Sequence, residues 1–326
     1  MRSRGILSYE LFLFLLLTVF VVTIGLINPA FFSLGTLFDV IRNQIVYVLF
    51  AFALLPVVIL GGLDISFIAI AALSTFFTRI LLTNLGYEGG IWLVYITAIF
   101  FGIVLGTVVA GLISTFKLNI FELSLGMAPL IYGFLTLSSS FMHSPGRLKA
   151  LAGWNMKWLV TVPAAVGRTG LHVSVLVVAI VFVGMSIFLR YTLLGRSIYA
   201  MGSSRSVAIR TGIDTRKIYL AVFMLMGALA AVASVTSSGL GSGSFEEKYF
   251  KIYATIIIGG ASIHGGKGSV LGTLLGVFLV GLINQALVYL RIPMVWGDVF
   301  LGVTFIIFTI YQTIERRFEG SIKLLL

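Results

Sequence analysis

Ten apolar runs divide this chain, at about residues 9–27, 38–60, 65–82, 92–115, 120–141, 171–190, 218–239, 252–263, 268–290 and 298–314. Most approach the ~20 residues that a helix needs to cross a bilayer core. A helix satisfies its backbone polar groups within its own segment, which a bilayer demands. The expected fold is therefore an all-α polytopic membrane protein of about ten transmembrane helices. Both termini lie on the inner side, and one transmembrane domain covers residues 1–326. A mean hydropathy of +1.12 with only 10% charged residues and 27 phenylalanines excludes a soluble domain of this length. The first run follows Arg2 and Arg4 as in a signal peptide, but no small-residue cleavage site ends it, so it reads as a retained span.

The net charge of +11 follows from topology. Basic residues sit at the ends of apolar runs and not in an aromatic-interleaved patch, so no nucleic acid partner is expected. The richest stretch is Arg190 to Lys217, where 28 residues hold six of the 22 basic side chains and one acid, Asp214. By the positive-inside rule this segment, about 190–217, is cytoplasmic. The ten-span arrangement places 13 of the 22 basic residues inside. The loop from Met142 to Gly170, with Arg147, Lys149, Lys157 and Arg168, runs against that bias, but orientation is set mainly by short loops. Within the basic segment, Ser203 or Ser204 is placed to cap a short helix through Val207, Ala208 and Ile209 that stops at Gly212. Its mixture of aliphatics with Arg205 and Arg210 suits docking onto another protein better than simple solvation.

Two places read as broken helices. VILGGLDIS, Val58 to Ser66, passes from one apolar run to the next through Gly61, Gly62 and Asp64. IIGGASIHGGKG, Ile257 to Gly268, does the same through two glycine pairs, beginning with Gly259 and Gly260. Such breaks flank the pathway in transporters, although glycines also serve simply to let helices pack closely. Asp64 is either a functional intramembrane acid or the cap of the run that follows it. Asn43, Gln44, Asn284 and Gln285 are candidates to line a path for a hydroxylated solute, or to act as interhelical hydrogen-bonding groups. Tyr47, Tyr289 and Trp296 lie nearby, where aromatics also form the interfacial belt.

No self-contained chemistry emerges. ASIHGGKG, Ala261 to Gly268, lacks the first glycine of a P-loop and has Gly268 where Ser or Thr would hold magnesium. Gly241-Ser242-Gly243 is followed by Glu246 where a dinucleotide fingerprint needs glycine. His143, His172 and His264 are far apart in the chain, and cysteine is absent, so no metal site, cofactor or catalytic set is expected.

Thr192 to Gly202 reads T-x-x-G-R-x-x-Y-A-x-G, with Gly195 and Arg196 at its centre and Ala208 and Gly212-Ile213 following. It resembles the cytoplasmic loop of the ribose-type sugar permeases of ABC importers. GGLDIS at Gly61 to Ser66 is similar to that family's GGIDLS segment, and IIIGGASIHGGKGSVLGTLLG at Ile256 to Gly276 to its glycine-rich signature. The three motifs keep the family's order and spacing over nearly the whole chain. Phe67 departs from the usual Val-Gly, and Ser203-Ser204-Arg205 replaces a Gly/Asn-rich start of the loop helix, a change that bears on which ATPase docks.

The resemblance implies a non-catalytic, multi-pass permease subunit in a bacterial inner membrane, surrounded by lipid. Its implied partners are an ABC ATPase subunit, a second permease subunit as homodimer or close paralogue, and an extracytoplasmic solute-binding protein. Gly195, Arg196, Ser204, Arg205, Ala208, Arg210 and Gly212 would couple it to the ATPase, by way of the short helix Ser204 to Thr211. The outer segment Gly239 to Tyr253, with Glu246, Glu247, Lys248 and Lys251, would receive the binding protein. Family members carry pentoses, hexoses, autoinducer-2 or nucleosides. The second class that the residues leave open is an ion-coupled secondary transporter working without an ATPase, with Asp64 or Glu122 as its proton or sodium site.

Overall fold

The computed structural model describes residues 2–141, 148–163, 168–242 and 248–325, so His143, Arg147, Glu246 and Glu247 lie outside the described residues. Helix α1 is Arg2–Ile27, followed by a short 3-10 helix, Pro29–Phe32. Then come α2 (Leu34–Ile59), α3 (Phe67–Asn84), α4 (Ile91–Phe116), α5 (Ile120–Phe141) and α6 (Lys149–Asn155). Strands β1 (Trp158–Pro163) and β2 (Arg168–His172) precede α7 (Ser174–Tyr191), α8 (Leu193–Ser203) and α9 (Arg205–Arg210). The chain ends with α10 (Thr215–Leu240), α11 (Tyr249–Ile258), α12 (Val270–Tyr289) and α13 (Trp296–Leu325).

Among the described residues, nine helices are long and apolar enough to cross a membrane. The difference from ten lies in the run at 252–263. Its apolar residues continue past Gly259, but the helix α11 stops at Ile258 after ten residues. At 1.5 Å per residue that is about 15 Å, half a bilayer core. The rest of this passage is the non-helical segment up to Ser269, which caps α12.

Helix α2 is the hub. From Gln44 to Ile59 every side chain except Tyr47 is buried, and α10, α12, α7 and α11 pack around it. Helix α10 in turn lies along α4 with backbone against backbone: a methyl on Gly102 would come 2.3 Å from the Gly227 carbonyl oxygen, and one on Gly106 would come 2.1 Å from that of Phe223. Small residues take this role in membranes because close backbone approach gains dispersion contact that lipid does not offer. Large apolar side chains such as Leu11, Phe14, Trp92, Phe100, Ile180 and Ile306 face outward, as lipid contact requires.

The segment between α5 and α7, expected as a charged outer loop, carries structure. Trp-Leu-Val-Thr-Val in β1 has the β-branched content of a strand and pairs antiparallel with β2, Thr161 opposite Gly170 and Val162 opposite Thr169. This hairpin rests on the outer end of α2: the Arg42 guanidinium lies 4.8 Å above the Trp158 ring, and the Thr169 hydroxyl donates to Asp39. At the end of β2 His172 is fully buried. Its Nε2 lies 3.0 Å from the Trp154 carbonyl, which only accepts, so Nε2 carries the proton; Nδ1 accepts from the Ser174 N–H at 3.1 Å. Burial pushes the His172 pKa down from its ordinary value of 6.5. A depressed histidine stabilises its surroundings above its unfolded pKa, and that contribution is lost as pH falls toward the folded one. The protection factors of the amides in β1 and β2, which correct for the intrinsic pH dependence of exchange, should therefore fall as pH is lowered from about 7.5 to about 5, and His172→Gln should remove that fall. Protection factors that do not change with pH in the unmodified protein would show that His172 does not control the hairpin.

Candidate coupling segment and membrane breaks

The basic segment is built as two helices joined by one residue. Thr192 caps α8, its Oγ1 accepting from the Gly195 N–H at 3.0 Å. Gly195 is buried against α7, where a methyl would meet the Phe188 carbonyl oxygen at 2.3 Å, while Arg196 is exposed. Ser204, extended in backbone, ends α8 and caps α9. Gly212, with φ of +82°, closes α9: its N–H donates to the Ile209 carbonyl at 3.0 Å and that of Ile213 to Ala208 at 3.1 Å. This is the glycine stop that the sequence placed there. Asp214 then caps α10 through the N–H groups of Arg216 and Lys217. The Lys217 N–H is the first cause that holds its carboxyl below the ordinary value.

Within α9 only Ala208 is buried, at 2% exposure, whereas Val207 and Ile209 stand 55% and 53% exposed. Arg205 and Arg210 flank them, exposed, with the Arg205 guanidinium 5.7 Å from the centre of the Tyr219 ring. Val207 and Ile209 thus present an exposed aliphatic face between two cations. The sequence signal missed here was the separateness of α8, since Thr192 is a cap residue followed by a helical run.

The first break runs from Leu60 to Ser66. Gly61, with φ of +86°, lets the N–H of Gly62 turn back to the Val57 carbonyl at 3.0 Å. A methyl on Gly62 itself would meet the side chain of Ile120 at 2.4 Å. Asp64 is fully buried. Its Oδ1 accepts from the Ser66 N–H at 2.7 Å and the Ser66 hydroxyl at 2.6 Å, a local turn just ahead of α3, whose N-cap residue is Ser66 and makes no side-chain capping bond. Among the described residues its buried Oδ2 has no hydrogen-bond partner. The backbone of Asp64 is held by α11: the Tyr253 hydroxyl donates to its carbonyl at 2.8 Å and accepts from its N–H.

The second break runs from Gly259 to Ser269. Gly260, Gly265 and Gly266 have φ of +92°, +82° and +74°. A broken helix exposes carbonyls at its end, and these need partners in a bilayer. The Tyr9 hydroxyl from α1 donates to the Ile258 carbonyl at 2.7 Å, and Gln312 from α13 donates to that of Ile257 at 2.7 Å. The Ser269 hydroxyl donates to Glu10 at 2.5 Å while accepting from the Gly272 N–H. Neither Tyr9, Glu10 nor Gln312 was singled out by sequence, because each answers a break far away in the chain.

The polar residues on α2 and α12 are less uniform. Gln44 is buried against Gly281, and Asn284 donates to the Val280 carbonyl of its own helix at 3.1 Å. Asn43 is exposed and Gln285 half-buried. Lys251 lies 4.9 Å over the Tyr47 ring, joining α11 to the outer part of α2.

Several known proteins are similar over nearly this whole length. The ribose import permease protein RbsC of Haemophilus influenzae is 28% identical over 282 residues, 84% of this chain and 84% of that protein. The autoinducer 2 import system permease protein LsrD of Escherichia coli is 28% identical over 314 residues, 94% of this chain and 93% of that protein. The RbsC protein of Escherichia coli K12 is 27% identical over 281 residues, 83% of each. No solved structure matches. The family model of the branched-chain amino acid transport system permease component matches residues 36–309, both breaks and the basic segment included, and the chain belongs to that family.

Proposed function

We propose that this chain forms the translocation path of a binding-protein-dependent importer for a sugar or sugar-like solute, a pentose, a hexose or autoinducer 2, driven by ATP hydrolysis on a separate subunit. The observation that carries the reading is the exposed face of α9, Val207 and Ile209 between Arg205 and Arg210. Such a face has work to do only if a motor subunit sits beneath it. The relatives whose names record ribose or autoinducer 2 import support the solute class. Permease components of this kind are path-forming subunits and not catalysts.

In this reading Gly195, Arg196, Ser204, Arg205, Ala208, Arg210 and Gly212 couple the chain to the ATPase. A second copy or close paralogue completes the path, and an extracytoplasmic binding protein delivers the solute. Asn43 and Gln285, with Gln44 and Asn284 packed beside them, are the path candidates on α2 and α12, and Gly61, Gly62, Asp64, Gly259 and Gly260 shape the moving breaks. The match to a transport-system permease family, with relatives named as ribose and autoinducer 2 import permeases, supports this over an ion-coupled carrier.

The test is to tag the chain, extract it in mild detergent and identify what copurifies by mass spectrometry. An ATP-binding subunit at comparable amount is the expected result. A chain that emerges alone and moves solute after reconstitution without ATP would make it a secondary carrier.

A further inference from the structure

The coupling segment is joined to both membrane breaks through bare backbone. Gly202, near the end of α8, lies so close to the end of α2 that a methyl on it would come 1.9 Å from the Ile59 carbonyl oxygen and 2.7 Å from the Gly266 nitrogen. That same Ile59 carbonyl accepts the Gly266 N–H at 2.7 Å, binding the first break to the second. A methyl on Gly265 would sit 2.8 Å from the Gly202 carbonyl oxygen and 2.8 Å from the Gly61 nitrogen. A methyl on Gly61 would come 3.3 Å from the His264 carbonyl oxygen. Three chain segments, about 60, 202 and 265 in the numbering, therefore meet at one point with hardly a side chain between them. Tyr199, one turn earlier on α8, adds a hydrogen bond from its hydroxyl to the Gly268 carbonyl at 2.8 Å.

Side chains at a helix contact yield by changing rotamer, so a displacement is partly absorbed before it reaches the next backbone. Backbone atoms in van der Waals contact have no such slack, because the repulsive wall is steep and the peptide planes are stiff. Gly61, Gly265 and Gly266 also hold left-handed conformations, which a residue with a Cβ adopts only under strain. The division of labour between the two short helices follows. Helix α9 presents its aliphatics outward, while α8 buries Ile198 and Met201 and abuts the breaks.

We propose that Gly202, Gly61, Gly265 and Gly266, with Tyr199, form a transmission joint that makes the two membrane breaks move together with α8. The proposal rests on the reading of α9 as the surface that meets an ATPase. Under it, α9 receives the motion of the motor and α8 passes it on, and the glycines are positioning residues that act through the breaks.

The test uses the complete complex with its ATPase and binding protein in proteoliposomes, reading solute uptake and ATP hydrolysis in parallel. Tyr199→Phe keeps the ring and removes the bond to Gly268. Solute moved per ATP is expected to fall about fivefold, the factor that one neutral hydrogen bond carries, with hydrolysis and the bound ATPase unchanged. Gly202→Ala is expected to lower that ratio by more than about tenfold, since the clash is with backbone that cannot yield. Ser197→Ala, whose hydroxyl bonds only within α8 to the Leu193 carbonyl, is the control and should leave the ratio unchanged. A merely structural role would lower both readings together and leave their ratio intact, which would overturn the proposal. An unchanged ratio in Tyr199→Phe would overturn it even if Gly202→Ala failed to assemble. Loss of the ATPase from Tyr199→Phe alone would make α8 part of the docking surface instead, also against the proposal. If no ATPase accompanies the unmodified chain, the fault lies with the reading of α9 and not with the joint.

Discussion

Leucine at Gly259 should abolish uptake while leucine at Gly184 leaves it untouched. A methyl at Gly259 would already lie 2.5 Å from the Gly272 carbonyl oxygen and 2.7 Å from the Thr273 Cα. The approach is reciprocal, since a methyl on Gly272 would meet the Gly259 carbonyl oxygen at 2.2 Å, and one on Gly276 that of Thr255 at 2.2 Å. Helix α11 thus runs into its break lying directly on the first turns of α12. Inserting extra methylenes into packed interiors costs about 1–3 kcal/mol even where side chains can shift. Here the obstacles are main-chain atoms, so the helices must separate, pulling the Ile257 and Ile258 carbonyls away from Gln312 and Tyr9. Uptake below about one-hundredth of the unmodified level is expected, as a loss of ~3 kcal/mol implies. Gly61→Leu should act in the same direction through its φ of +86° and the nearby His264 carbonyl. Gly184 has nothing within 4 Å of an added methyl, so its leucine variant controls for expression and insertion. Membrane level by fluorescence-detected size exclusion, read beside uptake, separates a blocked path from a lost protein. Normal transport in both the Gly259 and Gly61 variants would reduce these glycines to passive spacers.

Much of this architecture was legible because bilayer physics writes itself into composition. Nine of the helices follow from apolar runs alone, and the caps at Ser204, Asp214 and Ser269 stand where Ser or Asp meets a helical run. The eighth run misled because hydropathy does not register a change of backbone direction: Ile256, Ile257 and Ile258 are as apolar as the residues of a full span, and the glycine pair after them carries the bend. Asp64 was a candidate cap of α3 in sequence, but its carboxylate forms a local turn with Ser66, the N-cap residue, and reaches no N–H of the helix's first turn. Its clamp by Tyr253 was not legible, because nothing near either residue announces a partner 189 positions away. The junction of Gly61, Gly202 and Gly265 is the extreme case. A glycine required by a turn and one required by a distant backbone look the same in sequence, and only the close approach tells them apart.

The second large effect concerns charge reversal on α9. Arg205→Glu with Arg210→Glu should leave the chain in the membrane at its normal level and yet remove most ATP-driven uptake. Both side chains are exposed, and neither lies in a membrane-spanning helix, so folding has little at stake. Within the chain the change takes the Arg205 guanidinium away from the Tyr219 ring, an attraction worth about 0.5–1 kcal/mol at an exposed site. At the interface the effect is larger, because each substitution replaces an attraction by a repulsion against whatever acidic surface receives α9. Like-charge juxtaposition across an interface costs several kcal/mol, about a hundredfold or more in affinity. Val207→Asp should act similarly by placing a carboxylate amid the aliphatic part of that face, whereas Ala208, at 2% exposure, is unsuited to the test because its replacement would dislodge α9 itself. The readouts are copurified ATPase per chain and uptake in vesicles, each at low and high salt. Exposed charge pairs are screened within ~8 Å at physiological ionic strength, so added salt should partly restore binding to the double variant. Survival of full ATP-driven uptake in that variant would show that the motor docks elsewhere. Retained ATPase with abolished uptake would place the two arginines downstream of docking, in the path through which α8 and the breaks are moved.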